Sequence, residues 1–286
     1  MWLSANASSE EETFEDGDYC AAVRLRLGQA VCPPPPGHRC SNRHASWRQP
    51  GATCAKPLDP EGVHALTCKA GGGVYRKHNA LVRLLGRLLR AAGYQVLEEV
   101  WEPRWDRPVR DRTGRQKRDR EGNLLWERAR LDIKLMASPE EPFVYGDVVV
   151  SRPGAPSNVR EAAAEDGGTA EKAVWRKQAR YPPEQVPSAR LVVFSVETGG
   201  RWGKDALTFL KRAAGRVAQR HPGLASLEGE GGSVVFSAWL RQLSCVLQKE
   251  NAAALRGTAA GGARAARGAS NAPRTGEAEE EETEED

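Results

Sequence analysis

Apolar residues at Leu81, Leu84, Leu85, Leu88 and Leu89, with Arg83, Arg87 and Arg90 between them, repeat at the spacing of an α-helix. They predict a helix from Tyr75 to Ala92 with one apolar and one basic flank, stopped at Gly93. The period then changes. Tyr94–Val100, Arg130–Leu135 and Phe143–Val150 are short, largely apolar and partly β-branched, as strands are, and the turn-prone Ser138-Pro139-Glu140-Glu141-Pro142 joins the second to the third. Further on, the pattern predicts a helix over Ala170–Tyr181, a strand over Arg190–Val196, a helix carrying Leu207, Phe209 and Leu210, and a last helix over Val234–Leu247. The order helix, three strands, helix, strand, helix indicates an α/β fold.

Around this core the chain divides into four parts. Residues 1–18 read as a disordered acidic N-terminus, and 19–73 as a short helix over Ala21–Gly28 followed by a Cys/His-rich loop region. Residues 74–248 hold the α/β domain, and 249–286 form a tail rich in Ala, Gly and Arg, then in Glu, expected to be disordered. Within the domain, 103–128 is a polar, Arg-rich excursion with turns at Thr113-Gly114 and Glu121-Gly122, and 152–168 reads as loop.

Two of the strands carry a carboxylate in apolar surroundings: Asp132 between Leu131 and Ile133, and Asp147 ahead of three valines. Such a carboxylate is costly unless its charge is compensated. Two on one hairpin invite a shared divalent cation, and Mg²⁺ takes one or two carboxylates while keeping several waters. A metal held this way can activate water and relieve charge on a phosphodiester. The next helix offers Lys172 and Lys177 as the cation that commonly assists, and Lys177 shares a helix face with Tyr181, four residues on.

Charge changes the picture further. The net +4 hides a segregation: residues 1–18 hold six acids and no Lys or Arg, and residues 274–286 hold eight acids and one Arg. The 41 basic and 24 acidic residues in between give that region a net charge of +17, which favours a polyanionic partner, nucleic acid above all. The chain has no apolar run long enough to span a membrane. Its N-terminus lacks the basic-then-apolar order of a signal peptide, so a reducing compartment is expected, where clustered cysteines favour metal over disulfides. Cys40, Cys54, His64 and Cys68 form the candidate zinc set, with His44 or Cys32 as alternative ligands; Cys20 and Cys245 read as free thiols. A structural Zn²⁺ would order a loop with few large apolar side chains.

Taken in order, these blocks resemble the restriction-enzyme-like endonuclease domain of non-LTR retrotransposon polyproteins, a branch of the PD-(D/E)XK nucleases, over roughly residues 20–215. The matching segments are Leu58–Cys68 (zinc knuckle), Gly71-Gly72-Gly73 with Arg76-Lys77-His78-Asn79, Arg130-Leu131-Asp132, Gly146-Asp147-Val148, Lys177-Gln178-Ala179-Arg180-Tyr181, and Glu197–Gly203. Leu131 stands where the family has Pro, Lys77 where it has Arg, and Val149 where a nuclease lysine ordinarily stands, in keeping with the family's lysine displaced onto a helix.

The resemblance implies a PD-(D/E)XK core preceded by a zinc knuckle, and a Mg²⁺-dependent, DNA-nicking endonuclease. Asp132 and Asp147 would hold the metal, and Lys177 would face the scissile phosphate with Tyr181 beside it. Glu98 or Glu99 would be a further acid. Arg76, Lys77, His78, Asn79, Arg83 and Arg87, with the Arg-rich 104–120 segment, would contact the nucleic acid. DNA is the expected partner, with RNA or a reverse transcriptase of the same element as further ones, and a nuclear location follows. Only about twenty residues precede the matching region, too few for a reverse transcriptase, so a fragment or remnant of a larger element is expected. The competing expectation is a zinc-dependent nucleic-acid-binding protein without catalysis.

Overall fold

A four-stranded mixed sheet carries the core of the computed structural model, which describes residues 12–31, 39–44, 51–137, 141–225 and 230–259. Its strands are β1 (Gln95–Trp101), β4 (Arg130–Met136), β5 (Phe143–Ser151) and β6 (Ala189–Glu197), in that spatial order. β4 runs antiparallel to both β1 and β5, whereas β6 lies parallel to β5. A parallel neighbour needs a crossover. Here it is made by α4 (Val159–Ala164) and α5 (Gly168–Arg180). Two short strands, β2 (Arg107–Pro108) and β3 (Trp126–Glu127), pair separately at the root of the Arg-rich excursion. The fold is therefore mixed α/β.

Alternation decides which side of each strand is buried. Along β4, Leu131, Ile133 and Leu135 are buried while Asp132 and Lys134 are half-exposed. On β5, Tyr145 to Val148 are all buried, as expected for a strand covered on both faces. The main core joins Ile133, Leu135, Val148, Val192 and Phe194 to Leu81, Leu85 and Leu89 of α3 (Gly73–Ala91), to Phe209 and Leu210 of α6 (Lys204–Arg220), and, after the short α7 (Pro222–Ala225), to Leu240, Leu243 and Leu247 of α8 (Gly231–Ala259). A second cluster gathers Trp105, Leu131, Tyr145, Tyr181 and Val186 around the C-terminal end of α5. Gly146 belongs to this packing, because a Cβ there would stand 2.5 Å from Ile133 Cγ1 and 2.8 Å from Phe194 Cε2. A bare backbone at 146 lets the β4 and β6 side chains close over the strand that carries Asp147.

Several expectations are corrected. The loop assigned to 152–168 contains α4, whose Ala162-Ala163-Ala164 run favours helix. The chain expected to be disordered from residue 249 is helical to Ala259. Ala254 and Leu255 are buried there against Val31, Ala65 and Leu66, so tertiary packing extends the helix past the predicted stop. Residues 260–286 lie outside the described residues. Likewise, α1 (Asp16–Arg26) starts inside the stretch read as disordered, and Glu12 is 3% exposed and paired with Arg241 at 2.9 Å. Residues 1–11 lie outside the described residues.

Candidate active site and metal centre

The antiparallel register pairs Ile133 with Gly146 and Lys134 with Tyr145. One further step along both strands sets Asp132 across from Asp147, on one face of the sheet. Asp132 Oδ2 accepts the Val148 backbone N–H at 2.6 Å and lies 3.0 Å from His78 Nε2 at the start of α3. Asp147 is 4% exposed, and the Lys177 ammonium of α5 sits 2.8 Å from its Oδ2. Lys177 thus supplies a counter-charge at that buried oxygen. The sheet and the two helices thus bring together Asp132, Asp147, Lys177 and His78. Lys177 also lies 5.7 Å from the Tyr181 ring centre, and the Tyr181 hydroxyl donates to the Arg130 carbonyl at 3.4 Å.

Charge couples these groups. Burial pushes the Asp147 carboxyl up to about 6; Lys177 opposes that shift, and the Asp132 charge adds to it. Burial alone would lower the His78 imidazole, but its hydrogen bond to Asp132 and that residue's charge outweigh burial and raise it to about 8. For Lys177 too, burial lowers the ammonium, but the charge of and hydrogen bond to Asp147, with the charges of Tyr181 and Asp132, together outweigh burial and raise it above its ordinary value. Burial, then the charge of Asp147, raise the Tyr181 phenol. Two carboxylates thus stand opposed across a strand pair, each with a basic side chain beside it.

Several predicted residues fall elsewhere. Lys172 pairs with Glu161 at 3.1 Å and donates to the Ser157 carbonyl, so Lys177 is the lysine that reaches the acids. Glu98 is exposed and pairs with Arg90 at 2.8 Å, and Glu99 is exposed with φ 53°. Arg76, Asn79, Arg83 and Arg87 are exposed along α3. Lys77, expected with them, is instead 2% exposed: it shares the inward face with Leu81, one turn on, and its ammonium reaches the Leu66 carbonyl at 3.5 Å.

Residues that sequence reasoning missed hold the helix of Lys177 in place. The buried Glu197, at the end of β6, accepts the first-turn N–H groups of Thr169 and Ala170 in α5, and burial raises its carboxyl. Arg180 donates to the Trp105 carbonyl at 2.8 Å and reaches Glu127 at 3.1 Å, and the Trp105 indole N–H donates to the Pro182 carbonyl at 2.9 Å. The one signal available was Trp105 itself, a large aromatic in an otherwise charged stretch.

The Cys/His region folds as a separate centre. Cys40, Cys54, His64 and Cys68 place one ligand atom each within 4.8 Å of one another. Cys40 and Cys68 sulfurs are 3.7 Å apart, and Cys54 Sγ is 3.5 Å from His64 Nε2. The backbone builds this locally: Cys54 N–H donates to Asn42, Ala55 takes φ 54° and donates back to Cys40, and Asp59 caps α2 (Val63–Thr67) through the Val63 and His64 N–H groups. Burial, then the neighbouring thiols Cys68 and Cys54, push the Cys40 thiol up to about 12 despite an opposing backbone hydrogen bond. His64 is lowered by burial and by Lys56, which keeps the imidazole neutral and able to ligate. Three sulfurs and one nitrogen so placed can hold a metal such as zinc. His44 stands outside this set, Cys32 lies outside the described residues, and Cys20 and Cys245 are free thiols.

Comparison with known protein families and with curated protein sequences finds no match for the chain. Among the described residues, no helix is long and apolar enough to cross a membrane.

Proposed function

We propose that the chain is a metal-dependent DNA endonuclease of the PD-(D/E)XK kind, related to the endonuclease domain of non-LTR retrotransposons, with a zinc knuckle ahead of its α/β core. The observation that carries this reading is the convergence of Asp132, Asp147 and Lys177 from three separate elements, with Asp132 opposite Asp147 in the strand register and Lys177 2.8 Å from the buried Asp147 carboxylate. Asp132 and Asp147 would hold Mg²⁺, which when bound polarises the phosphodiester and a water. Lys177 would shift its contact from the carboxylate to the scissile phosphate as charge builds there. His78 fixes the rotamer of Asp132 through its 3.0 Å contact, and Tyr181 packs beside the lysine stem. The exposed Arg76, Arg83 and Arg87 would meet phosphates along the duplex.

A DNA substrate, a nuclear location and an origin in a retrotransposon belong to the same proposal, and zinc is the metal that the Cys₃His set suits best. Nicking of supercoiled plasmid by the purified chain with Mg²⁺, beside Asp132→Ala and Asp147→Ala, tests it.

One observation favours a second reading, a zinc-dependent nucleic-acid-binding protein without turnover. Each aspartate already has an organic cation beside it, His78 for Asp132 and Lys177 for Asp147, so the pair is compensated without a metal. A parent chain that binds DNA but never nicks it would select this alternative.

A further inference from the structure

We propose that residues 107–127 form a rigid arm that docks on the phosphate backbone of duplex DNA beside the acid–lysine centre. The inference rests on the reading of DNA as substrate for the choice of partner; its geometry stands apart from that site.

The arm is two copies of one turn, eight residues apart. In the first, the Asp111 carboxylate accepts the N–H groups of Thr113 and Arg115 at 2.8 and 3.0 Å, Gly114 takes φ 81°, and the Arg110 guanidinium donates to the Gly114 carbonyl at 2.7 Å. In the second, Asp119 accepts the N–H groups of Glu121 and Asn123, both at 2.9 Å, Gly122 takes φ 90°, and Arg118 donates to the Gly122 carbonyl at 2.6 Å. Backbone hydrogen bonds between Val109, Lys117 and Leu125 lay the limbs side by side. Order here comes from turn chemistry, because residues 110–124 are exposed apart from a half-buried Gln116.

That design leaves positive charge unspent. Residues 110–124 contain six Arg and Lys against three acids, and two of those acids, Asp111 and Asp119, are consumed by the turns. Among the described residues, the guanidinium groups of Arg112, Arg115 and Arg120 have no carboxylate partner. A merely solvated segment needs no such repeated scaffold, whereas two equivalent arginine-bearing tips suit a stiff, periodic polyanion. A flexible single strand would call for aromatic platforms at the tips. The arm's exposed tryptophan, Trp126, instead sits at the root.

The root is tied to the catalytic helix. Glu127 bridges Arg107 at 2.5 Å and Arg180 at 3.1 Å, and Arg180 lies three residues beyond Lys177. A duplex held on the arm is thereby held at a set position relative to Lys177.

The test uses the full chain, a labelled duplex of arbitrary sequence and the matching single strand, titrated across salt concentrations. The variant Arg112→Gln/Arg115→Gln/Arg120→Gln is compared with Arg190→Gln/Lys211→Gln/Arg212→Gln, which removes equal charge from exposed positions outside the arm. The expected result is duplex affinity lower by on the order of tenfold or more, and a log–log salt slope shallower by up to about 2.7, for the arm variant alone. Unaltered circular dichroism would show the variant folded. Equal losses in both variants, an unchanged salt slope, a larger loss on single strand than on duplex, or a parent chain that does not bind duplex would each overturn the proposal. Binding lost with the arm in a chain that never nicks would keep the arm and remove the nuclease reading, so the two fail separately.

Discussion

The Lys177 ammonium lies 2.8 Å from Oδ2 of Asp147, joining helix α5 to the buried centre of strand β5. Taking the lysine away strands a carboxylate that burial already pushes up to about 6. Lys177→Met is expected to cost about 1–3 kcal/mol at neutral pH, below the figure for a fully buried pair because the lysine is a third exposed. Under the proposed function it also lowers nicking on the order of 100-fold or more. Lys172→Met, whose lysine is engaged with Glu161 and Ser157, leaves nicking unchanged. Urea unfolding and plasmid nicking on the two variants measure the contrast, and equal effects would remove Lys177 from its assigned role.

Lys77 supplies a pH signature that does not depend on catalysis. Burial, then the neighbouring Arg152 charge, lower its ammonium to about 8, so the folded protein binds this proton less tightly than the unfolded chain does. The depressed value means that the penalty is absent above about 10.5 and is felt in full as pH falls below about 8. At pH 7 it amounts to at most about 3 kcal/mol, offset in part by the contact with Leu66. Lys77→Met should therefore equal or exceed the parent in stability at pH 7, with the advantage shrinking toward pH 10. Denaturant midpoints at both pH values check the sign, and a destabilised Lys77→Met at pH 7 would contradict it.

The Cys₃His centre predicts one zinc per chain by elemental analysis, lost in Cys40→Ser and Cys68→Ser. Because Leu66 and Ala65 pack on Leu255 and Ala254, chelation should loosen more than the knuckle. Hydrogen exchange is expected to rise in 39–44, in 51–68 and in the last turns of α8, with the sheet still protected. A folded chain that contains no zinc and is indifferent to chelator would refute the metal centre.

Much of this arrangement was legible in the sequence because it rests on local rules. The 3.6-residue spacing of the α3 leucines, the alternation in β4 and the apolar run of β5 each gave the right element within a few residues. Asp132 and Asp147 stood out because a carboxylate in an apolar strand demands a partner. What stayed hidden depends on distant packing. The extension of α8 past Leu247 is decided by contacts with Val31, Ala65 and Leu66, and the burial of Lys77 by which face of α3 meets α2. The choice between Lys177 and Lys172 turns on which side of α5 faces β5, and both lysines lie on a basic, largely polar helix. Glu197 and Arg180, which brace that helix, gave no sign in a linear reading because their partners lie 27 or more residues away.

The central claim is that the acid pair and Lys177 hydrolyse DNA, and the most direct measurement is conversion of supercoiled plasmid to open circles by the purified, zinc-loaded chain with added Mg²⁺. The account predicts Mg²⁺-dependent nicking by the parent, abolished by EDTA and by Asp132→Ala or Asp147→Ala while duplex binding persists. No nicking by the parent under these conditions, or equal nicking by the aspartate variants, would contradict it.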